Sequence, residues 1–256
     1  MPYWLPLSLL LGLLSLDVTA IGQFMVSRPI VVGPLVGLVT GHPELGLTLG
    51  ALTELLWIAD VPVGSHLPMD LCMLSGISVA FASELVGRGA DPAAAATYAL
   101  GISIPLALLS TEAELGLRKF HVRWMHFAQR MALGNHFKTF EGVNTAVLLE
   151  LFLKGCLMAF LGLTVAHATA NLYFLLPSPV VKGLRDAALW LLPALGGAAV
   201  IDLVLEKRMA LTLFLSMALI LGLALLGHLQ SAELVGLAVL SGFGTILLMA
   251  GKGETS

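Results

Sequence analysis

The chain has 256 residues, 58% hydrophobic and only 11% charged, with 13 Lys and Arg against 16 Asp and Glu and a mean hydropathy of +0.95. Soluble domains carry about 25% charge, so this chain has too few charged side chains to clothe a water-facing surface, and its composition places it in a membrane. The slightly acidic balance without a basic arm excludes nucleic-acid binding, and the wealth of Leu, Val, Ile and Phe excludes disorder. At roughly 20 residues per spanning helix, the length admits about six to nine embedded segments in one integral domain, residues 1–256.

Trp4 to Leu16 is apolar with no Lys or Arg ahead of it, so it reads as the start of a first membrane helix, Leu5 to Ile21, rather than as a cleaved leader. Pro29 to Thr40 and Leu45 to Ala59 are each too short to cross a bilayer at 1.5 Å per residue. They read as half-helices or a re-entrant pair. Backbone that stops part-way through a bilayer is tolerated only inside protein or along a wet cavity, and transporters build substrate sites from such broken segments. Residues 17–70 are therefore the first place to look for function.

Leu71 to Val86 and Pro92 to Leu109 follow as two spans, the second expected to kink at Pro105. Residues 112–141 hold five of the 13 Lys and Arg and three of the seven His, interleaved with apolar residues at helical spacing. That pattern predicts one interfacial amphipathic segment lying on the membrane, on the cytoplasmic face by the positive-inside rule. Val143 to Val165 is the next span, and Asn171 to Val181 a short segment punctuated by Pro177 and Pro179. Ala187 to Leu205 is interrupted at Pro193 and Gly196–Gly197, and Leu211 to Leu226 and Leu234 to Ala250 close the chain. The stretch Arg28–Gly37 returns loosely at Ser178–Gly183, as inverted repeats of a transporter do. The fold class expected is all-α: a polytopic integral membrane protein with several full spans, broken or re-entrant half-helices and one interfacial amphipathic segment.

Ionisable groups at membrane depth cost about 2.5–3.5 kcal/mol on insertion scales, so those that are kept point to a site. Asp17, Gln23 and Arg28 follow the first span; Glu54 is the one charge within Leu45–Ile58, and Trp57, three residues on, shares its helical face. Asp60 and Asp70 bracket Gly64, Ser65 and His66. Carboxylates, an amide, an indole and exposed backbone N–H groups suit a polyol, whose hydroxyls need donors and acceptors and whose C–H face stacks on an aromatic ring. A purely structural reading stays open beside this one, with Arg28 pairing Glu54 to hold the half-helices and Asp17 and Asp70 sitting at helix ends. Glu150 and Lys154 are spaced as an i,i+4 pair that neutralises itself within a span. Cys72 and Cys156 lie in apolar stretches and read as packing residues, with neither a disulfide nor a metal site implied. His121, His126 and His136 have no zinc spacing, and no phosphate-cradling GxxxxGK-Ser/Thr loop occurs. No metal, no cofactor and no catalytic residue is expected in this chain.

The run from Gln23 through Arg28-Pro29, Gly33-Pro34, Gly37 and Gly41, then Gly46, Gly50, Glu54 and Trp57, then Val61-Pro62-Val63-Gly64-Ser65-His66 to Asp70, resembles the IIC subunit of the mannose/fructose/sorbose-type phosphotransferase system. Ala99 to Pro105, and Leu176 to Ala187 with Leu192-Pro193 and Gly196, extend the resemblance along essentially the whole chain. The resemblance implies a multi-pass subunit of the bacterial inner membrane that pairs with a IID subunit as a hetero-oligomer to form the sugar path. Cytoplasmic IIA and IIB proteins, phosphorylated on histidine, would deliver phosphate to the incoming sugar. It also points to Gln23, Glu54, Gly64, Ser65 and Asp70 as substrate contacts, to which the residue argument adds Asp17, Trp57 and His66, with Arg28 and Pro29 as structural supports. His42, Ser65-His66 and Met69 stand where many relatives carry other residues, so the identity of the sugar stays open. Two alternatives are a non-transporting relative that anchors or senses phosphotransfer proteins through residues 112–141, and a stand-alone transporter whose ion is carried by Asp17, Glu54 or Asp202.

Overall fold

A computed structural model describes residues 4–18, 20–58, 60, 67–133 and 137–204. Gly64, Ser65 and His66, and the spans expected at Leu211–Leu226 and Leu234–Ala250, lie outside the described residues. Every described element is helical, and the chain is an all-α polytopic membrane protein. Met1–Ala199 forms one compact unit and Val200–Ser256 a second, of which only the end of a helix is described.

Helix α1 (Trp4–Ser15) ends in a 3₁₀ turn at Leu16–Val18, short of the expected Ile21. Leu7, Leu11 and Leu14 face the core while Leu5, Leu9 and Leu13 are exposed, so one stripe packs on protein and the opposite one faces lipid or another subunit.

The two expected half-helices are present as α2 (Pro29–Thr40) and α3 (Pro43–Leu56). Each begins on a proline, whose missing N–H costs nothing in a first turn. Gly41 turns the chain between them in the left-handed region, at φ 82°. Gly33 and Gly37 on α2 meet Gly46 and Gly50 on α3 so closely that a methyl at Gly33 would fall 2.4 Å from the Gly46 carbonyl oxygen, and one at Gly46 would fall 2.4 Å from that of Gly33. Two reciprocal small-xxx-small faces thus zip the hairpin backbone to backbone, the membrane solution to helix association where lipid offers no hydrophobic drive.

Helix α4 (Leu71–Gly87) runs through the centre, with Cys72, Met73, Leu74, Ile77, Phe81 and Leu85 buried. Helices α5 (Pro92–Leu133) and α6 (Phe137–Phe174) flank it. The stretch 112–141 is helical on both sides of residues 134–136: residues 112–133 continue α5, and α6 begins at Phe137. Polarity changes at residue 112, yet the helical period does not, and Glu, Leu, Arg, Met, Ala and Gln all propagate a helix. Likewise the short segment expected at Asn171–Val181 is split between the end of α6 and α7 (Ser178–Asp186). The break expected at Pro193 and Gly196–Gly197 is absent, because a π-turn at Ala187–Leu191 joins α7 to α8 (Leu192–Val204). The π-turn lies where Pro193 cannot donate to the carbonyl four residues back, which is where such widening relieves a proline. The loosely repeated stretches at Arg28 and Ser178 each open a helix with proline in its first turn, but the first helix turns back at Gly41 and the second runs on into α8.

Among the described residues three helices are long and apolar enough to cross a membrane: Pro92–Arg130, Gly142–Phe174 and Ser178–Ile201. The two cysteines are packing residues at helix contacts: Cys72 Sγ lies 3.9 Å from the Leu11 carbonyl oxygen, and Cys156 fits against Gly12.

Candidate functional site

A cavity of about 370 Å³ opens where the end of α1, the following loop and the start of α4 meet the middle of α5 and α6. Its wall includes Asp17, Gln23, Arg28, Asp60 and Asp70 from the N-terminal third, and Thr111, Glu114 and Lys154 from the long helices. The broken segments explain its place. Ser75 Oγ donates to the Pro29 carbonyl and Thr40 Oγ1 bonds Ser83 Oγ, so α2 runs beside α4 only from Ser75 to Ser83. Twelve residues reach about 18 Å, so α2 does not extend to the Asp70 end of α4, which only the end of α3 approaches from the hairpin, through Leu56 and Trp57.

Asp17 is buried and shapes the loop that rims the cavity. Its Oδ1 accepts the Phe24 N–H at 2.7 Å, and its Oδ2 accepts the Val26 N–H at 2.7 Å and the Ser27 N–H and hydroxyl at 3.4 Å. The carboxylate thereby holds a backbone with left-handed dihedrals at Gly22 (φ 74°), Gln23 (φ 52°) and Met25 (φ 63°). The two non-glycine residues store about 1–3 kcal/mol each in that conformation, a cost that clusters at ligand sites.

Asp70 caps α4, its Oδ1 accepting the Met73 N–H at 3.1 Å. Its Oδ2 accepts from Ser110 Oγ at 2.6 Å and from Lys154 Nζ at 3.2 Å, and its own N–H donates to Thr111 Oγ1 at 2.9 Å. Lys154 also lies 3.4 Å from Glu114 Oε2, and Glu114 Oε1 pairs with Arg118 at 2.8 Å. The i,i+4 pairing expected between Glu150 and Lys154 is replaced: Lys154 turns to Asp70 and Glu114, while Glu150 accepts from Trp124 Nε1 and lies against His121 Nε2, each at 3.1 Å. Sequence spacing shows only partners on the same helix. The apolar setting of Lys154 was the available signal that a partner from elsewhere had to exist.

Glu54 and Trp57 do not line the cavity. Glu54 pairs with Arg28 at 2.8 Å and accepts the Ile30 N–H at 3.4 Å, tying the end of α3 to the start of α2. Trp57 caps α3 and packs against the cluster of Met69, Leu74, Leu100 and Ala107. Arg28 joins both settings, as the residue ahead of α2 and as part of the cavity wall, and Pro29 opens α2. Asp60 Oδ2 accepts the Met69 N–H at 3.2 Å. Asp17, Gln23, Arg28 and Asp70 thus line one cavity, joined by Thr111, Glu114 and Lys154, which only the placement of α5 and α6 brings there. Among the described residues no cluster of His, Cys, Asp and Glu is arranged to hold a metal ion.

Residues 5–247 match the family model described as the PTS system sorbose-specific IIC component. An 81-residue stretch is 33% identical to a putative N-acetylgalactosamine permease IIC component 2 of Escherichia coli, covering 32% of this chain and 56% of that protein. Over 189 residues the chain is 24% identical to the mannose-specific EIIC component of the same organism, covering 71% of this chain and 66% of the relative. The chain thus spans between about half and two thirds of the length of these relatives. Two solved structures share the fold. One is a membrane protein at a TM-score of 0.67 and 18% identity, covering 98% of this chain and 96% of that one. The other is the cryo-EM structure of the mannose transporter ManYZ with microcin E492, at a TM-score of 0.53 and 19% identity, covering 96% and 93%.

Proposed function

The chain belongs to the family of phosphotransferase-system sorbose-specific IIC components, and from that premise we propose that it binds a hexose-type sugar in the cavity beside Asp70 and translocates it together with a IID membrane subunit. The observation that carries this reading is the cavity itself. Its volume of about 370 Å³ lies in the range of small-molecule sites, roughly 300–1,000 Å³, and its polar groups converge from a broken N-terminal region and two long helices. Gln23 and Asp70 supply an amide and an acceptor for hydroxyls; Asp17 acts by shaping the loop that carries Gln23, and Glu54 acts at one remove, by fixing Arg28. Gly64, Ser65 and His66 complete the substrate contacts in this reading, and Trp57 braces the start of α4. In the bacterial inner membrane, IIA and IIB phosphocarriers would then phosphorylate the sugar on the cytoplasmic side, and no phosphorylated residue is assigned to this chain.

The test is binding of a labelled panel of mannose, glucose, fructose, sorbose, N-acetylglucosamine and galactosamine to membranes holding the chain with its IID partner, each chain alone, and Glu54→Gln. Saturable binding that needs both chains and weakens at least tenfold in Glu54→Gln is the expected result. No binding by a correctly inserted complex would transfer the weight to the reading in which the chain anchors or senses phosphotransfer proteins through residues 112–141.

A further inference from the structure

Lys154 interrupts an apolar run of α6, and its side chain is only 8% exposed, as is that of Asp70. A buried ion pair is a poor source of stability, since apolar replacements of similar volume are often neutral or better. An ionisable group kept at membrane depth therefore points to function. Lys154 has three N–H donors; Asp70 and Glu114 take two of them, and the side chain lines the cavity. Asp70 has about four acceptor sites, of which Met73, Ser110 and Lys154 occupy three. Lys154 thus has one N–H beyond these two contacts and Asp70 one acceptor position, on Oδ1, and both residues line the cavity wall. A sugar ring offers the complement, two neighbouring hydroxyls.

We propose that Lys154 is a specificity-determining residue of this cavity, donating to one hydroxyl of the bound sugar while Asp70 accepts from the adjacent one. Glu114 is a positioning residue that acts through Lys154, with Arg118 behind it. The inference rests on the sugar-binding reading above and adds to it a residue from the third quarter of the chain.

The full chain with its IID partner is tested in native-membrane nanodiscs by equilibrium binding of the hexose selected from the panel and of its 2-, 3-, 4- and 6-deoxy analogues. Lys154→Gln is expected to weaken the parent sugar about 10- to 100-fold, the worth of one charge-assisted hydrogen bond. The deoxy analogue that lacks the contacted hydroxyl should bind wild type and variant equally, and Lys154→Arg should restore part of the discrimination. Glu114→Gln, which leaves the Asp70 pairing intact, should give the same pattern at roughly a tenth of the size; it serves if Lys154→Gln does not fold. Equal weakening of every sugar would overturn the inference and make Lys154 a packing residue, as would unchanged binding. A wild-type complex that binds no hexose would instead overturn the sugar-binding reading, whereas a binding wild type with indifferent variants sinks only the role of Lys154.

Discussion

The two ends of α4 use one device in two settings. At its start, Asp70 reaches Lys154 of α6; at its end, Glu84 pairs with Arg88 and lies against His167 of α6, with Arg88 also donating to Asn171 Oδ1 at 3.1 Å. The anchors are 14 residues apart on α4 and 13 on α6, about 21 and 20 Å, so parallel helices are pinned in register at both ends. The settings differ in water. The cations carry the difference, Lys154 at 8% exposed and Arg88 at 33%, while the carboxylates Asp70 and Glu84 are 8% and 13% exposed. At the far end the hairpin tip covers α4 through Thr40 and Ser83, and the near end faces the cavity. A carboxylate gripping a cation is cheap at a wet surface and costly in the interior, so the costly copy marks the functional end.

The largest expected effect tests that contrast directly. Lys154→Leu strands Asp70 without a counter-charge, while Glu114 keeps Arg118, and should cost about 3–5 kcal/mol, read as thermal unfolding in detergent. Replacing both partners, as Asp70→Leu with Lys154→Leu, should recover stability to within about 1 kcal/mol of wild type while sugar binding stays lost. Recovery of both would show that the pair has no part in the site. Next in size, Gly46→Ala drives a methyl into the Gly33 carbonyl and should cost about 1–3 kcal/mol by overpacking. Gly101, in α5 with nothing within 4 Å of an added methyl, should accept Ala with a gain of about 0.5–1 kcal/mol. Asp17→Ala removes the acceptor for the loop N–H groups of Phe24, Val26 and Ser27; faster amide exchange at those three positions is the outcome to look for. Smallest of all, Arg88→Leu should change stability by less than about 1 kcal/mol and leave sugar binding as it was. A loss of binding there would end the asymmetry between the two ends.

The pair of half-helices was legible from length alone, while the bounds of the second, expected at Leu45–Ala59, are set by Pro43 at its start and by its end at Leu56. The join at residue 112 was not legible for a related reason: hydropathy reports environment, and a helix can pass from lipid to water without changing its backbone. The same limit applied at Pro193, where a π-turn keeps the helix going. Within the site, Asp17, Gln23, Arg28 and Asp70 stood out as polar residues in an apolar region. Glu54 stood out equally, but it pairs with Arg28 and is not part of the cavity wall.

What the sequence determined by itself was the solvent and the periodicity. Too few charges for a water-facing surface mean a membrane, and apolar runs interrupted by Pro and Gly mean broken helices in the first third. Family membership follows from the same residues. Only the tertiary structure decided which charges meet. Asp70, Glu114 and Lys154 are separated by 40 or more residues, and no local pattern links them. They are brought together because α5 and α6 return alongside α4, and because a carboxylate so buried must find its cation wherever packing delivers one.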